Sequence, residues 1–271
     1  MKCSLATGHL WTNTVMPQPH LPPEIIDYII DFLHDQPDVL RNCCLVSKSF
    51  IDRTRKHLFR DIVFKWFHST LEAWRETFPD SKKSPAHHAR SLSVGCTNIV
   101  TDKDAKAGDW IESFSEVARL ELQDGFLDEH SFHPFHALSK VKHLLVSSVT
   151  VPPSELLGFI FSFPQLEDLD ISDSYTDADV TDWCEPIVWP PNFQFPPLTG
   201  TLVLRPSRPD CITRLLLAVP GCLRFRKIIW EYHPEHLEGV MAVVERCSDT
   251  LERIDIARPI RGKSYTSSPC N

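Results

Sequence analysis

Over residues 21–59 the apolar side chains recur every three to four positions, whereas beyond residue 60 they alternate in short segments repeated along the chain. The first spacing marks one face of a helix; alternation marks a strand with one buried face. Residues 21–59 therefore read as three short helices. Pro22 and Pro23 suit the first start, because a proline loses no hydrogen bond in the first turn. Ile25, Ile29 and Leu33 form one stripe with Ile26 and Ile30 beside it, and Glu24, Asp27 and Asp31 take the other side. Pro37 closes the connection, and Val39, Leu40, Cys43 and Cys44 give a second apolar helix. Ser47 is a good N-cap for the third, whose apolar face is Phe50, Ile51, Leu58 and Phe59. Arg53, Arg55, Lys56 and His57 crowd its C-terminal end, where cations favour the helix dipole.

The second region repeats the pattern apolar-x-x-L-x-L seven times: Ala89/Leu92/Val94, Val117/Leu120/Leu122, Val141/Leu144/Val146, Leu166/Leu169/Ile171, Thr199/Leu202/Leu204, Phe225/Ile228/Trp230 and Leu251/Ile254/Ile256. Thr199 is the one polar residue in the first slot. Ile62-Val63-Phe64 reads as an eighth, N-terminal strand. The central positions recur at intervals of 24 to 33 residues, which brackets the leucine-rich-repeat period. Helix-like stretches lie between, each just after a proline: 153–163, 209–219 and 234–247. One strand-plus-helix unit cannot bury its own apolar face, but stacked units can. The expected fold is α/β, a three-helix N-terminal module followed by a solenoid with a curved parallel sheet. The expected organisation is a flexible leader (1–20), the helical module (21–60), the repeat domain (61–257) and a disordered tail (258–271). The longest interval carries a Pro/aromatic loop, 183–197, expected at the surface, where its aromatics either pack against the repeat flank, the favoured reading, or bind the target.

If the leucines turn inward, their neighbours turn outward. The outward row is Glu121, Leu145, Asp170, Val203, Ile229 and Asp255, flanked by Arg119, His143, Asp168, Arg205, Lys227 and Arg253. Mixed charge with a few apolar spots suits recognition of another protein.

Composition narrows the function classes. A net charge of −8 argues against a nucleic-acid partner. Nine scattered cysteines without a C-x-x-C pair read as free thiols in a reducing compartment, hence cytoplasm or nucleus. The first twenty residues lack a signal-peptide pattern, and the longest apolar stretch, Leu156–Phe163, is too short to cross a bilayer. Phosphate-binding glycine loops, a nucleophile elbow and H-E-x-x-H are all absent. His130, His133 and His136 could share a metal only on a common face; Pro134 and the i, i+3, i+6 spacing argue against it. His233 and His236 read as a helix start. No catalytic residue, metal or cofactor is expected.

Residues 21–62, LPPEIIDYIIDFLHDQPDVLRNCCLVSKSFIDRTRKHLFRDI, resemble the F-box. The resemblance rests on Leu21, Pro22 and Glu24, on Ile25, Ile29 and Leu33, on Val39 and Leu40, and on Val46, Ser47, Lys48 and Phe50. The rest of the chain is similar to the degenerate leucine-rich repeats of many F-box proteins, although the asparagine after each strand is missing. The resemblance implies a non-enzymatic substrate-recognition adaptor. Leu21, Pro22, Ile25, Ile29, Leu40 and Val46 are expected to bind a Skp-type adaptor and, through it, a cullin in a ubiquitin ligase. The repeat domain is expected to bind an unidentified target protein. An interaction scaffold without ubiquitylation is the alternative, and a small hydrolase using the histidine cluster is the remote one. Independently, apolar residues on nearly two faces of so small a first helix call for a partner.

Overall fold

The computed structural model describes residues 21–65, 70–95, 110–126, 132–151, 153–172, 195–205, 209–219, 221–231 and 237–257. The leader, the tail, most of the Pro/aromatic loop, His130, His233 and His236 lie outside them. The chain divides into two compact units, Met1–Thr54 and Arg55–Asn271, with the division inside the third helix.

The first unit holds α1 (Pro23–Phe32), α2 (Pro37–Val46) and most of α3 (Lys48–Leu58). Prolines stand in the first turns of α1 and α2, where no helical N–H bond is lost. The Ser47 hydroxyl accepts the Ser49 N–H at 3.3 Å, so the expected cap on α3 is present. Arg53 does something other than serve the helix end. Its guanidinium grips Asp31 of α1 through Nε, at 2.6 Å, and through Nη2, in a fork-to-fork pair. The stripes of α1 also differ from expectation. Ile30 is buried and Ile26 and Leu33 are half-buried, whereas Ile25, Tyr28, Ile29 and Phe32 are exposed. Leu33 thus belongs with Ile26 and Ile30, and the Ile25 stripe runs through Tyr28 to Phe32, which is the i, i+3, i+4, i+7 spacing of one helical face.

The second unit is an α/β fold built on an open eight-stranded sheet, all parallel, in sequence order. Its strands are β1 (Asp61–Phe64), β2 (Ser91–Gly95), β3 (Arg119–Phe126), β4 (His143–Thr150), β5 (Asp168–Ser172), β6 (Thr201–Arg205), β7 (Lys227–Glu231) and β8 (Arg253–Ala257). The register aligns Ile62, Leu92, Leu120, Leu144, Leu169, Leu202, Ile228 and Ile254 in one inward row, and Phe64, Val94, Leu122, Val146, Ile171, Leu204, Trp230 and Ile256 in the next. All but the two β8 isoleucines are buried.

Strand starts are stitched by a recurring bond. The carbonyls of Arg60, Arg90, Ala118, Lys142 and Arg226 each accept two successive N–H groups of the next unit at 2.7–3.1 Å. The β5–β6 start breaks the pattern. There the Glu167 carbonyl takes only the Gly200 N–H, at 2.8 Å. The Thr201 N–H goes instead to the Asp168 carboxylate, at 2.6 Å. A Cβ on Gly200 would fall 2.3 Å from the Glu167 carbonyl oxygen and 2.5 Å from Asp168 Oδ1, so this close approach requires glycine. The polar slot at Thr199 is resolved one residue earlier. Leu198 is fully buried and bridges Leu223, while Thr199 is half-buried.

The layer behind the inward rows is irregular. It contains α4 (Thr70–Thr77), α5 (Pro153–Phe161), α6 (Pro209–Leu217), α7 (Leu237–Arg246) and 3-10 turns at Ser81–Lys83, Pro85–His88 and His133–Ala137. Near β1, Trp74 packs with Phe59, Phe64, Phe78 and Phe114, centroids 4.8–6.0 Å apart. In the middle, Phe159 of α5 stacks on Phe132 at 4.3 Å and meets Phe135 and Phe163 edge-on. Phe195, from the end of the Pro/aromatic loop, packs edge-on against Phe161 at 4.9 Å, so this aromatic does lie against the repeat flank.

β3 and β4 run past their motifs and bend at matching places. Asp124 and Ser148 have φ of 48° and 54°, and the register resumes at Gly125↔Val149. In β4 the bend inserts one residue into the alternation. Val146 and Val149 therefore both reach the core, followed by Val151. A strict two-residue alternation would have turned Val149 outward.

Candidate functional site

Two surfaces have the character of binding sites. The first is the helical trio. Of the thirteen exposed large apolar side chains among the described residues, eight lie within 21–46: Leu21, Ile25, Tyr28, Ile29, Phe32, Val39, Leu45 and Val46. Their exposures run from 38% to 85%, far above what single scattered apolar residues on a soluble surface require. Of the expected docking residues, Leu21, Pro22, Ile25, Ile29 and Val46 are open. Leu40 is a correction: at 1% exposure it is a core residue and presents nothing to a partner. In α2 it sits one residue past Val39, a 100° turn, which separates the buried face from the open one. Tyr28, Phe32 and Leu45 were not singled out in the sequence. The signal for Tyr28 and Phe32 was available as the continuation of the Ile25–Ile29 spacing.

The second surface is the outer face of the sheet. The register places Glu121, Leu145, Asp170, Val203, Ile229 and Asp255 side by side in one row, preceded by Val63 and Ser93. The flanking row is Arg119, His143, Asp168, Thr201, Lys227 and Arg253. Thr201 takes the place expected for Arg205, which lies beyond Val203 in the third row, opposite Ser172. Side chains two residues after the row cannot share a register position with those two before it.

Both rows contribute to a depression of about 270 Å³ whose lining includes Leu145, Asp170, Val203 and Ile229. Its walls are tied by hydrogen bonds and ion pairs. His143 Nδ1 lies 2.6 Å from Asp168 Oδ2, whose other oxygen accepts the Thr201 N–H. Lys227 lies 3.0 Å from Asp255, which also accepts from Arg253 Nε at 2.7 Å. These cations, Arg253 first, hold the Asp255 carboxyl below its ordinary range. Asp170 behaves oppositely. Burial raises its proton affinity, against the pull of Arg205 and Arg119. Its Oδ2 is 3.4 Å from Arg205, and its Oδ1 is buried without a hydrogen-bond partner among the described residues. The floor thus combines aliphatic spots with one under-satisfied carboxylate, a mixture that suits an amphipathic protein segment. On the flank, Glu116 bridges Arg90, at 2.8 Å, and Lys140; both lower its proton affinity, Lys140 the more.

Among the described residues, few groups are placed for reaction chemistry. His133 and His136 have ring centroids 6.3 Å apart, and His136 also meets the edge of Phe159. Partial burial, then the neighbouring His133, lowers the proton affinity of His136. Among the described residues no cluster of three or more His, Cys, Asp or Glu is placed to hold a metal. Cys43, Cys44, Cys222 and Cys247 are free thiols. Burial pushes the Cys222 thiol up to about 11 and raises Cys247, so neither is activated as a nucleophile. No described helix is long and apolar enough to cross a membrane. Compared with known proteins, the chain matches no family model and no curated protein.

Proposed function

We propose that this chain is a substrate-recognition adaptor of a Skp–cullin–F-box ubiquitin ligase. The trio over 21–60 acts as the F-box and docks on a Skp-type adaptor, which brings the cullin. The domain over 61–257 acts as a leucine-rich-repeat-like solenoid and receives a target protein on the outer face of its sheet. The chain has no reaction chemistry of its own and works in the cytoplasm or nucleus.

The observation that carries this reading is the concentration of exposed apolar side chains on α1 and α2. A soluble chain keeps such a surface when a partner covers it. Leu21, Pro22, Ile25, Ile29 and Val46 form the adaptor contact, joined by Tyr28, Phe32 and Leu45. The test is capture of a purified Skp-type adaptor by the chain and by its Leu21→Ala/Pro22→Ala variant. Both positions are exposed, so the variant leaves the trio folded. Recovery is expected to fall at least tenfold, the loss of a small hot spot; equal recovery removes the proposal. Co-purification of a cullin then separates ligase membership from a scaffold role without ubiquitylation.

A further inference from the structure

The two ends of the sheet are finished differently. At β1 the inward Ile62 and Phe64 are 7% and 2% exposed, under the Trp74 aromatic cluster. At β8 the corresponding Ile254 and Ile256 are 44% and 61% exposed. In the helix just before β8, Leu237 and Met241 are 44% and 52% exposed. Among the described residues β8 pairs only with β7, so its other edge carries backbone N–H and C=O groups that no described strand pairs. An apolar edge with free ladder positions is a template for another strand.

We propose that β8 pairs with β8 of a second copy of this chain, antiparallel about a two-fold axis through Ile254. The choice of a second copy rests on charge complementarity. A two-fold axis normal to the sheet keeps the inward face inward, so paired residues must share parity, and the axis must pass through a residue opposite itself. An axis at Asp255 sets two carboxylates face to face, and one at Arg253 sets two guanidinium groups together; like charges directly opposite destabilise. An axis at Ile254 sets Arg253 opposite the partner's Asp255, twice by symmetry. It also puts the two Ile254 side chains together, with Ile256 diagonal to the partner's Ile254. Both helices α7 then lie on one side of a continuous sixteen-stranded sheet (eight strands from each copy), with Leu237 and Met241 on the same side as the paired isoleucines. This inference does not depend on the proposed ligase role.

The test is the association state of the full chain by sedimentation over a concentration series. The wild type is expected to dimerise reversibly, and Ile254→Lys to be monomeric. Arg253→Glu alone and Asp255→Lys alone each place like charges opposite one another and should weaken the dimer roughly tenfold or more. The double variant, which restores opposite charges across the axis, should recover the dimer. Circular dichroism of each variant checks that the sheet is intact. A wild type monomeric at every concentration overturns the proposal, as does a double variant no better than the singles. Dimers that form only after removal of residues 258–271 also overturn it, because that segment would then own the edge.

Discussion

Helices α1 and α5 make an instructive pair. They have ten and nine residues, and in each, isoleucine, leucine or phenylalanine fills much of the turn. In α5, Leu156, Leu157, Phe159, Ile160 and Phe161 are all buried, because the sheet lies on one side and the aromatic residues of neighbouring units on the other. In α1 only Ile30 is buried, and four large apolar residues stay open. Equivalent sequence texture thus has opposite fates. Burial is a property of the layer available to a helix, not of the helix. An apolar helix face lacking such a layer is a surface that a second protein could cover.

That contrast can be broken by substitution, and the expected effects descend in order. Phe159→Ala removes the ring stacked on Phe132 and should cost about 3–5 kcal/mol in denaturant unfolding; a loss below about 1 kcal/mol would mean that the α5 layer is not packed as described. Gly200→Ala forces a methyl into the Glu167 carbonyl and should cost about 1–3 kcal/mol. Its thermal midpoint would equal that of wild type if β6 did not approach β5 so closely. Asp170→Asn relieves a half-buried, partly unsatisfied carboxylate and should change stability at neutral pH by about 1 kcal/mol or less, in the stabilising direction.

The Asp170 effect has a pH signature. Its folded carboxyl binds a proton more tightly than the unfolded one. Stability from this group therefore rises as pH falls through the raised folded value, and stops rising below the ordinary aspartate value. Glu116 and Asp255 have the opposite sign. Their stabilisation is present above the ordinary carboxylate range and is lost as pH falls through their lowered folded values. In Asp170→Asn the mild-acid gain should vanish while the loss at lower pH remains; an unchanged stability–pH curve would refute the assignment. At the bottom of the scale, Phe32→Ala on the open stripe of α1 should move stability by no more than about 0.5 kcal/mol, yet weaken capture of a Skp-type adaptor. A large stability loss there would show that the stripe is core after all.

Much of the sheet could be read from the chain. The six-residue outward row from Glu121 to Asp255 stands in register, because alternation is local and one motif repeated seven times fixes the same parity in each strand. The pattern misleads where a local device shifts the count. The bend at Ser148 carried Val149 inward, and Leu198 took the slot expected for Thr199. Arg205 needs no such device: it stands two residues after Val203, not two before it, and so falls two rows from the flanking row. The sites were harder. Arg53 looked like helix-end charge, and its pairing with Asp31, twenty-two residues away, left no mark in local spacing.

What the sequence by itself determined is the pair of periods, the order of the elements and the parity of each strand, since these depend on neighbours within a few residues. Only the tertiary structure decided which stripe of α1 stays open, that Leu40 is buried, that Asp170 Oδ1 finds no partner among the described residues and that Ile254 and Ile256 of β8 stay exposed. Each of those depends on whether another layer of the protein arrives at a given face, and that is set by distant parts of the chain.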